Sequence, residues 1–213
     1  MYFITTGNRK LNVFYHSWMD GGGTWFGQEY VDIVRTRYPD RTFERCYEWC
    51  SGPGYIGFSL LDHGICRSLC LSDIYPDAID AVAMTIQENQ LQSTASGYTT
   101  GTVSGLPPHE KFDLVVANPP HFLTCPGDDN YQRIAVDQNW AAHQEFFQNI
   151  AQHLLPGGVV LLQENQAGSL NREQDFAPFI ESAGLTVTAV FDSPQYYTPG
   201  HHTQIYYIEI QKK

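Results

Sequence analysis

Apolar and polar positions along the chain follow two alternating periods. Short apolar runs are typical of buried strands, and apolar positions spaced three and four residues apart are typical of amphipathic helices. The runs predict strands at 44–49, 67–72, 95–103, 112–117, 159–164, 185–192 and 203–210. The spacing predicts helices at 26–38, 76–91, 139–154 and 173–183, and a further helix after the first strand that ends at about His63. Strands that alternate with helices indicate an α/β fold, with an open, mostly parallel sheet and helices on both faces.

A glycine-rich stretch follows the first strand and precedes a helix. Gly52, Gly54 and Gly57 have the spacing G-x-G-x-x-G, and Asp73 lies at the end of the next strand. Ligands of such sheets bind beyond the carboxyl ends of the strands, where glycines let the backbone approach a nucleotide and a carboxylate accepts ribose hydroxyls. On these residues alone, a dinucleotide remains one of the possible ligands.

A carboxylate before the glycines bears on the kind of nucleotide. Glu48 lies at the end of the strand, four residues before Gly52. Its negative charge would repel a pyrophosphate, but it would suit S-adenosylmethionine, which carries a sulfonium and an ammonium group and no phosphate. The alternative is a solvent-exposed glutamate without a ligand.

The composition limits the partners that we expect for the chain. Its 213 residues suit one domain, or one domain with a small appendage. The net charge of −11, with 12 basic residues and no basic run, disfavours a long nucleic acid and favours a small molecule or a protein side chain as the substrate. No apolar run could span a bilayer and the N-terminus has no signal-peptide pattern, so we expect a cytoplasmic protein that does not bind membranes.

The five cysteines do not predict a metal site. Cys46 and Cys50, and likewise Cys66 and Cys70, are four residues apart in or beside predicted strands, where small buried thiols pack well. Zinc sites more often use closer cysteine pairs, and the histidines have no metal-binding spacing either. We therefore expect no bound metal.

Four stretches, taken in order, resemble a known family. EWCSGPGYIGFSLL, LSDIYPDAIDAVAMTIQEN, FDLVVANPPHF and LLPGGVVLLQE are similar to motifs of the class I S-adenosylmethionine-dependent methyltransferases. The likeness is to the group with an Asn-Pro-Pro-aromatic signature, which includes the methyltransferase small domain and the release-factor glutamine methyltransferases. The resemblance implies a Rossmann-like, mostly parallel sheet of seven strands with helices on both faces and a C-terminal antiparallel strand. It places the methyltransferase domain at 44–213, after an N-terminal lid or helix segment at 1–43.

The resemblance also assigns roles to individual residues. The residues expected to bind S-adenosylmethionine are Glu48, Cys50, Ser51, Gly52, Gly54, Asp73, Ile74, Thr102 and Asn118. The residues expected to act in catalysis are Asn118, Pro119, Pro120 and His121. Apart from the resemblance, the aromatic and histidine side chains that we expect to contact the substrate are Trp25, Phe26, Phe122, Tyr196 and His201.

The Asn-Pro-Pro stretch suits the methylation of a planar nitrogen. Neither proline donates a backbone hydrogen bond, and Pro119 restricts Asn118 to an extended conformation where the strand ends. The side-chain oxygen of Asn118 and a carbonyl near Pro119 can each accept an N–H of the substrate, which orients the nitrogen and disperses its developing charge. A rigid strand end without a ligand would explain the prolines but not the asparagine.

Departures from the family pattern leave the methyl acceptor open. His121 stands where the pattern more often has Tyr, Phe or Trp, so either His121 or Phe122 stacks on the substrate. Residues 18–30 either form a lid over the pocket or contribute their aromatic side chains to the core. The alternatives to an N-methyltransferase are an adenine amino-methyltransferase acting on nucleic acid, an oxidoreductase that binds NAD, and a module that binds the cofactor without catalysis.

Overall fold

The computed structural model describes residues 1–8, 10–19, 23–124, 127, 129–194 and 204–212. In chain order, its strands and helices are β1 (Tyr2–Thr5), β2 (Asn12–Tyr15), α1 (Gly23–Arg37), β3 (Phe43–Trp49), α2 (Tyr55–Asp62), β4 (Cys66–Asp73), α3 (Pro76–Glu88), β5 (Ala95–Thr99), β6 (Phe112–Ala117), α4 (Asp129–Ala135), α5 (Ala141–His153), β7 (Leu154–Asn165), α6 (Ala177–Ser182), β8 (Leu185–Asp192) and β9 (Ile205–Lys212). Tyr196 and His201, which we predicted to contact the substrate, lie outside the described residues, as does the side chain of Trp25.

The main sheet has seven strands in the order β5-β4-β3-β6-β7-β9-β8. β3 pairs in parallel with β4, β4 with β5, and β6 with β7. β9 is antiparallel to both of its neighbours, β7 and β8. This topology confirms the predicted α/β fold with a mostly parallel seven-stranded sheet and an antiparallel C-terminal strand.

Most strand boundaries agree with the sequence pattern. β6 and β8 have the predicted bounds. β7 begins earlier than predicted, because Leu154 already pairs with Phe112 before Val159 pairs with Leu114. The ladder is irregular between these two pairs, where β7 contains Pro156-Gly157-Gly158. A proline is tolerated at such an irregularity because no ladder hydrogen bond is required of its nitrogen.

The sequence pattern missed the hairpin of β1 and β2, and also α4. Residues 2–4 of the hairpin are exposed, so they show no alternation of buried and exposed positions. The hairpin is held on α3 instead: the Phe14 amide donates to Oγ1 of Thr85 at 2.9 Å, and the Asn12 amide donates to Oδ1 of Asn89 at 2.9 Å. The two residues of each hydrogen bond are 71 and 77 positions apart in the sequence, so a local pattern does not indicate the contact.

The backbone contacts of the chain group into two units, Met1–Gly101 and Thr102–Lys213. The largest side chains buried in the first unit include Tyr30, Phe43, Tyr47, Phe58 and Leu69. Those buried in the second unit include Phe112, Phe146, Phe147, Phe176 and Tyr207. The division at residue 43 that we predicted from the sequence stays a prediction. Within the described ranges, no helix combines the length and the apolar character needed to cross a membrane.

Candidate functional site

The turn after β3 has an unusual backbone. Cys50, Gly52 and Gly54 have φ angles of 52°, 50° and 86°, which place all three in the left-handed region. The Ser51 amide donates to the carbonyl of Ser72 at 2.9 Å, and the Gly54 amide donates to the carbonyl of Ser51 at 2.8 Å. The glycine-rich turn is therefore tight, and it is fastened to the carboxyl end of β4, where the sequence predicted a nucleotide site.

Glu48 is buried beneath this turn, with 2% of its surface exposed. Its Oε2 accepts a hydrogen bond of 2.7 Å from the Gly57 amide, in the first turn of α2. Burial raises the pKa of Glu48 to about 8, against the smaller lowering effect of the Gly57 and Ile56 amides. The carboxyl is therefore mostly protonated at neutral pH and ties α2 to β3. Its expected contact with the cofactor stays a prediction.

We expect Glu48→Gln to gain stability relative to the wild type as the pH rises from about 4.5 to about 8. In this interval the folded Glu48 keeps its proton, whereas the unfolded carboxyl, with its ordinary pKa of 4.5, has lost it. The folded state then binds one more proton than the unfolded state, so this group lowers wild-type stability by about 1.4 kcal/mol for each pH unit. A glutamine does not titrate, and urea unfolding at several pH values measures the difference.

The control for this prediction is Glu44→Gln on the same strand, where the glutamate is exposed and paired with Arg67. It should leave the pH dependence of wild-type stability almost unchanged. If the stability of Glu48→Gln followed that of the wild type at a constant offset across the interval, the pKa of Glu48 would not be raised.

Asp73 closes the turn from the end of β4. Its Oδ2 accepts the Gly52 amide at 2.8 Å, and its Oδ1 accepts the Tyr75 amide at 2.9 Å. Burial raises the pKa of Asp73 and outweighs the lowering effect of these amides. The next residue, Ile74, is 61% exposed although it is apolar. A carboxylate and an exposed apolar side chain therefore lie side by side at this strand end.

In the second unit, the Asn-Pro-Pro stretch directly follows β6. Asn118 is half-buried and Pro119 is buried. The Phe122 amide donates to the carbonyl of Ala135 at 2.9 Å, which fixes the far end of the segment. Gly168 lies so close to this segment that a Cβ at that position would overlap the carbonyl oxygen of His121. His121 and Phe122 are thus held by Gly168 and Ala135, and the two prolines restrict the backbone just before them.

A buried ionic network continues from His121 into the protein. Nδ1 of His121 lies 3.4 Å from Oε2 of Glu164, and Oε1 of Glu164 lies 3.0 Å from Nε2 of His143. Nδ1 of His143 lies 2.7 Å from Oδ2 of Asp137. Glu164 and His143 are fully buried, and Asp137 is 4% exposed. Each imidazole nitrogen of His143 therefore faces a carboxylate.

His143, Glu164 and Asp137, the inner members of the network, are ionised at neutral pH. Burial lowers the pKa of His143, but the charge of Glu164 and the hydrogen bonds to Asp137 and Glu164 outweigh it and raise the pKa to about 9. Burial raises the pKa values of Glu164 and Asp137, but the contacts with His143 outweigh it and bring both below the ordinary range, aided by His121 for Glu164 and by the Ala142 amide for Asp137. The arrangement is thus a buried imidazolium between two carboxylates.

The backbone around His143 is strained. Asn139 and Trp140, just before α5, have φ angles of 57° and 54°. A left-handed conformation costs a bulky residue such as tryptophan about 1–2 kcal/mol. The Trp140 ring packs edge-on against His143 at 5.2 Å, and Phe176 stacks on His143 at 4.8 Å. This packing holds the strained backbone in place and fixes the imidazole ring.

The structure brings most of the expected residues together within each unit. In the first unit, seven residues lie at or just after the ends of β3 and β4: Glu48, Cys50, Ser51, Gly52, Gly54, Asp73 and Ile74. Phe26 lies on α1, half-buried, and the Trp18 ring packs edge-on against Tyr75 at 5.6 Å. In the second unit, Asn118, Pro119, Pro120, His121 and Phe122 form one continuous segment.

Thr102 directly follows Gly101, where a Cβ would lie 2.9 Å from Cδ1 of Ile74. Thr102 is exposed and belongs to the second unit, just before a 3-10 turn at Val103–Gly105. Oε2 and Oε1 of Glu145 accept the amides of Val103 and Ser104 at 2.8 and 3.0 Å. A carboxylate from α5 therefore binds this turn, and the expected contact of Thr102 with the cofactor stays a prediction.

No motif in the sequence pointed to a functional role for Glu164, His143 or Asp137. One feature of the sequence could have indicated Glu164: it is a carboxylate near the carboxyl end of an apolar strand, where ligands of such sheets bind. His143 lies within α5, and nothing in its sequence surroundings distinguishes it. Asp137 accepts the Ala142 and His143 amides, which is the pattern of a helix-capping aspartate.

The sequence matches the family model of the methyltransferase small domain over residues 10–172. The chain belongs to this family. Membership makes it an enzyme, a methyltransferase, with S-adenosylmethionine as its cofactor. No curated protein matches the sequence with significance.

Solved structures of methyltransferases share the fold. A methyltransferase dependent on S-adenosylmethionine from Clostridium acetobutylicum superposes with a TM-score of 0.62 at 12% identity, over 89% of this chain and 91% of that chain. A ribosomal protein L11 methylase from Lactobacillus delbrueckii subsp. bulgaricus gives 0.59 at 13% identity, over 88% and 79%. A tRNA m1G37 methyltransferase from M. jannaschii gives 0.58 at 13% identity, over 99% and 57%. Identities this low show the Rossmann-like fold alone.

The first unit of the methyltransferase has the chemistry that an adenosine group requires. The carboxylate of Asp73 can accept ribose hydroxyls, and the exposed side chain of Ile74 can cover one face of an adenine ring. Within the part of the chain that the structure describes, no atom lies within 4 Å of a Cβ placed at Gly52, so the backbone there is accessible to a ligand. The residues of this turn therefore fit the cofactor of the family.

Proposed function

We propose that this methyltransferase transfers a methyl group from S-adenosylmethionine to a planar nitrogen of a small molecule or of a protein side chain. The observation that carries the proposal is the Asn118-Pro119-Pro120 segment directly after β6, where Asn118 is half-buried and two prolines restrict the backbone. An amide or aromatic amine is a weak nucleophile because its lone pair is delocalised. Such a substrate depends on orientation, which contributes about 7–11 kcal/mol in favourable systems.

In this proposal each unit of the chain has its own task. Asp73 and Ile74 hold the ribose and the adenine, and the turn at Gly52–Gly54 surrounds the methionine part of the cofactor. The bound cofactor supplies an electrophilic methyl group on a sulfonium. The side-chain oxygen of Asn118 and a backbone carbonyl near Pro119 accept hydrogen bonds from the acceptor nitrogen, which orients its lone pair.

The net charge of the chain favours a small molecule or a protein side chain over a nucleic acid as the methyl acceptor. A net charge of −11 with 12 basic residues gives little electrostatic attraction for a phosphate backbone. The tRNA methyltransferase among the structural neighbours nevertheless makes nucleic acid the main competing substrate. A panel of free amino acids, amines, purines, short peptides and RNA oligonucleotides, assayed for S-adenosylhomocysteine release, tests the proposal. Turnover of RNA alone would overturn it.

We expect Asp73→Ala to weaken the binding of S-adenosylmethionine about 10- to 150-fold. A hydrogen bond to a charged group contributes about 1.5–3 kcal/mol, which corresponds to this change in the dissociation constant. Isothermal titration calorimetry measures the constant directly. The control is Asp80→Ala, because Asp80 is an exposed aspartate on α3. An unchanged constant for Asp73→Ala would show that Asp73 does not bind the cofactor.

A further inference from the structure

The ionic network of His121, Glu164, His143 and Asp137 has no role in the proposed function so far. It reaches from the interior to the Asn-Pro-Pro segment, because His121 lies three residues after Asn118 and its side chain is 15% exposed. Each of its inner members is fixed by more than one contact. Asp137 accepts the amides of Ala142 and His143 as well as the imidazole of His143. A rigid buried pair of charges therefore stands behind the outermost histidine.

Glu164 determines which nitrogen of His121 carries the proton. Its Oε1 is bound by His143 at 3.0 Å, so its Oε2 remains for Nδ1 of His121 at 3.4 Å. An ionised carboxylate only accepts hydrogen bonds, so Nδ1 must be the donor. In a neutral imidazole the proton on Nδ1 leaves Nε2 with a free lone pair. A separation of 3.4 Å is long for a hydrogen bond, but catalytic contacts of this kind often shorten when substrate binds.

We propose that Nε2 of His121 accepts the proton that the acceptor nitrogen loses during methylation, and that Glu164 is the positioning residue that holds His121 in the required tautomer. This inference rests on the proposed function. His143 and Asp137 act through Glu164: the imidazolium keeps the carboxylate ionised and fixes its direction. The arrangement of a histidine oriented by a buried carboxylate is one that other enzymes use for a general base.

The proton transfer completes the balance of the reaction. The acceptor nitrogen forms a bond to the methyl carbon and breaks its bond to one hydrogen. The electron pair of the broken carbon–sulfur bond stays on sulfur, which becomes a neutral thioether. The released proton passes to Nε2 of His121, and Glu164 remains ionised beside Nδ1. No oxidant, reductant or metal is required.

A base at this position selects a class of acceptor. A primary amide or an exocyclic aromatic amine has an N–H that must be lost to give a neutral methylated product. A pyridine-type ring nitrogen has a free lone pair and no proton to lose. We therefore expect the enzyme to methylate amides or exocyclic amines and to gain nothing from His121 with pyridine-type nitrogens.

His121→Phe is the first test, because it keeps an aromatic ring and removes the base. We expect kcat to fall about 10²-fold or more with an N–H acceptor, while the dissociation constant of S-adenosylmethionine changes little. The matched control is His109→Phe, where the histidine is exposed and lies outside the network; its kcat should equal that of the wild type. If His121→Phe turned over at the wild-type rate, His121 would be only a stacking ring and the inference would be wrong.

The second test measures the tautomer in the free protein. With ¹⁵N-labelled histidine, we expect nitrogen chemical shifts of neutral wild-type His121 that correspond to a proton on Nδ1, and a shift towards the Nε2–H form in Glu164→Gln. Glu164→Gln should also lower kcat about tenfold or more. A wild-type His121 with its proton on Nε2 would overturn the inference even if Glu164→Gln failed to fold.

The two tests separate this inference from the proposed function. If the wild type methylates an amide or exocyclic amine and His121→Phe does so equally well, the proposed function stands and the inference fails. If the wild type methylates only pyridine-type nitrogens, the proposed function stands and the inference fails; if it methylates no planar nitrogen in the panel, both fail. A loss of kcat in His121→Phe together with the Nδ1–H tautomer in the wild type supports both.

Discussion

We expect Asn118→Ala to lower kcat by about 10²- to 10³-fold and to leave the dissociation constant of S-adenosylmethionine within a few-fold of the wild-type value. Loss of one preorganised hydrogen-bonding group costs other enzymes a similar factor. The reason is that the hydrogen bond from the acceptor nitrogen to the Asn118 oxygen strengthens as positive charge develops on that nitrogen. Its loss therefore raises the energy of the transition state more than that of the bound substrate.

The measurement is steady-state kinetics with an acceptor from the panel, together with calorimetry of cofactor binding. Asn118→Asp is the matched variant, because aspartate keeps an acceptor oxygen of the same geometry and exchanges the amide nitrogen for a second oxygen. We expect it to lose less activity than the alanine variant. A wild-type kcat for Asn118→Ala would leave the prolines as a structural end of β6 and would contradict the proposed role of the asparagine.

The part of the site that could be predicted from the sequence is the part encoded by neighbouring residues. β6 has the predicted bounds because its apolar run is followed by two prolines, and Asn118 lies at the expected strand end. The glycine turn is equally local, since its left-handed positions fall within five residues of one another. Short motifs of this kind depend on backbone conformations that few residue types can adopt.

The ionic network could not be predicted in this way. His121 and Glu164 are 43 residues apart, and His143 and Glu164 are 21 residues apart. Their meeting depends on how β6, α5 and β7 pack, and no local pattern specifies that packing. The protonation of Glu48 has the same origin, because its pKa follows from burial under α2. The sequence indicated a carboxylate near the cofactor but not the environment that determines its charge.

The second large effect that we expect is a loss of stability in His143→Phe, by about 3–5 kcal/mol at pH 6. A phenyl ring keeps most of the packing against Phe176 but leaves Asp137 and Glu164 buried without their shared cation. Removing one partner of a buried ion pair destabilises proteins by about this amount, because the remaining charge loses its compensation. For a chain of this length the melting temperature should fall by on the order of 10 °C.

The pH dependence of this loss distinguishes it from a packing defect. His143 has its pKa raised from 6.5 to about 9, so its contribution to stability is fully present below about pH 6.5 and is lost as the pH rises through about 9. The lowered pKa values of Asp137 and Glu164 give contributions that are present above their ordinary values and are lost as the pH falls. The difference between the wild type and His143→Phe should therefore be largest near pH 6 and should shrink towards pH 10.

Urea unfolding of both proteins at pH 6, 8 and 10 measures this difference. The matched control is His153→Phe, which removes another buried histidine of α5 whose Nδ1 is bound to the backbone carbonyl of Glu110. That change leaves no buried carboxylate unpaired, so we expect a smaller loss. If His143→Phe lost the same stability at all three pH values, the cation between Asp137 and Glu164 would not exist, and Glu164 would have no fixed charge with which to orient His121.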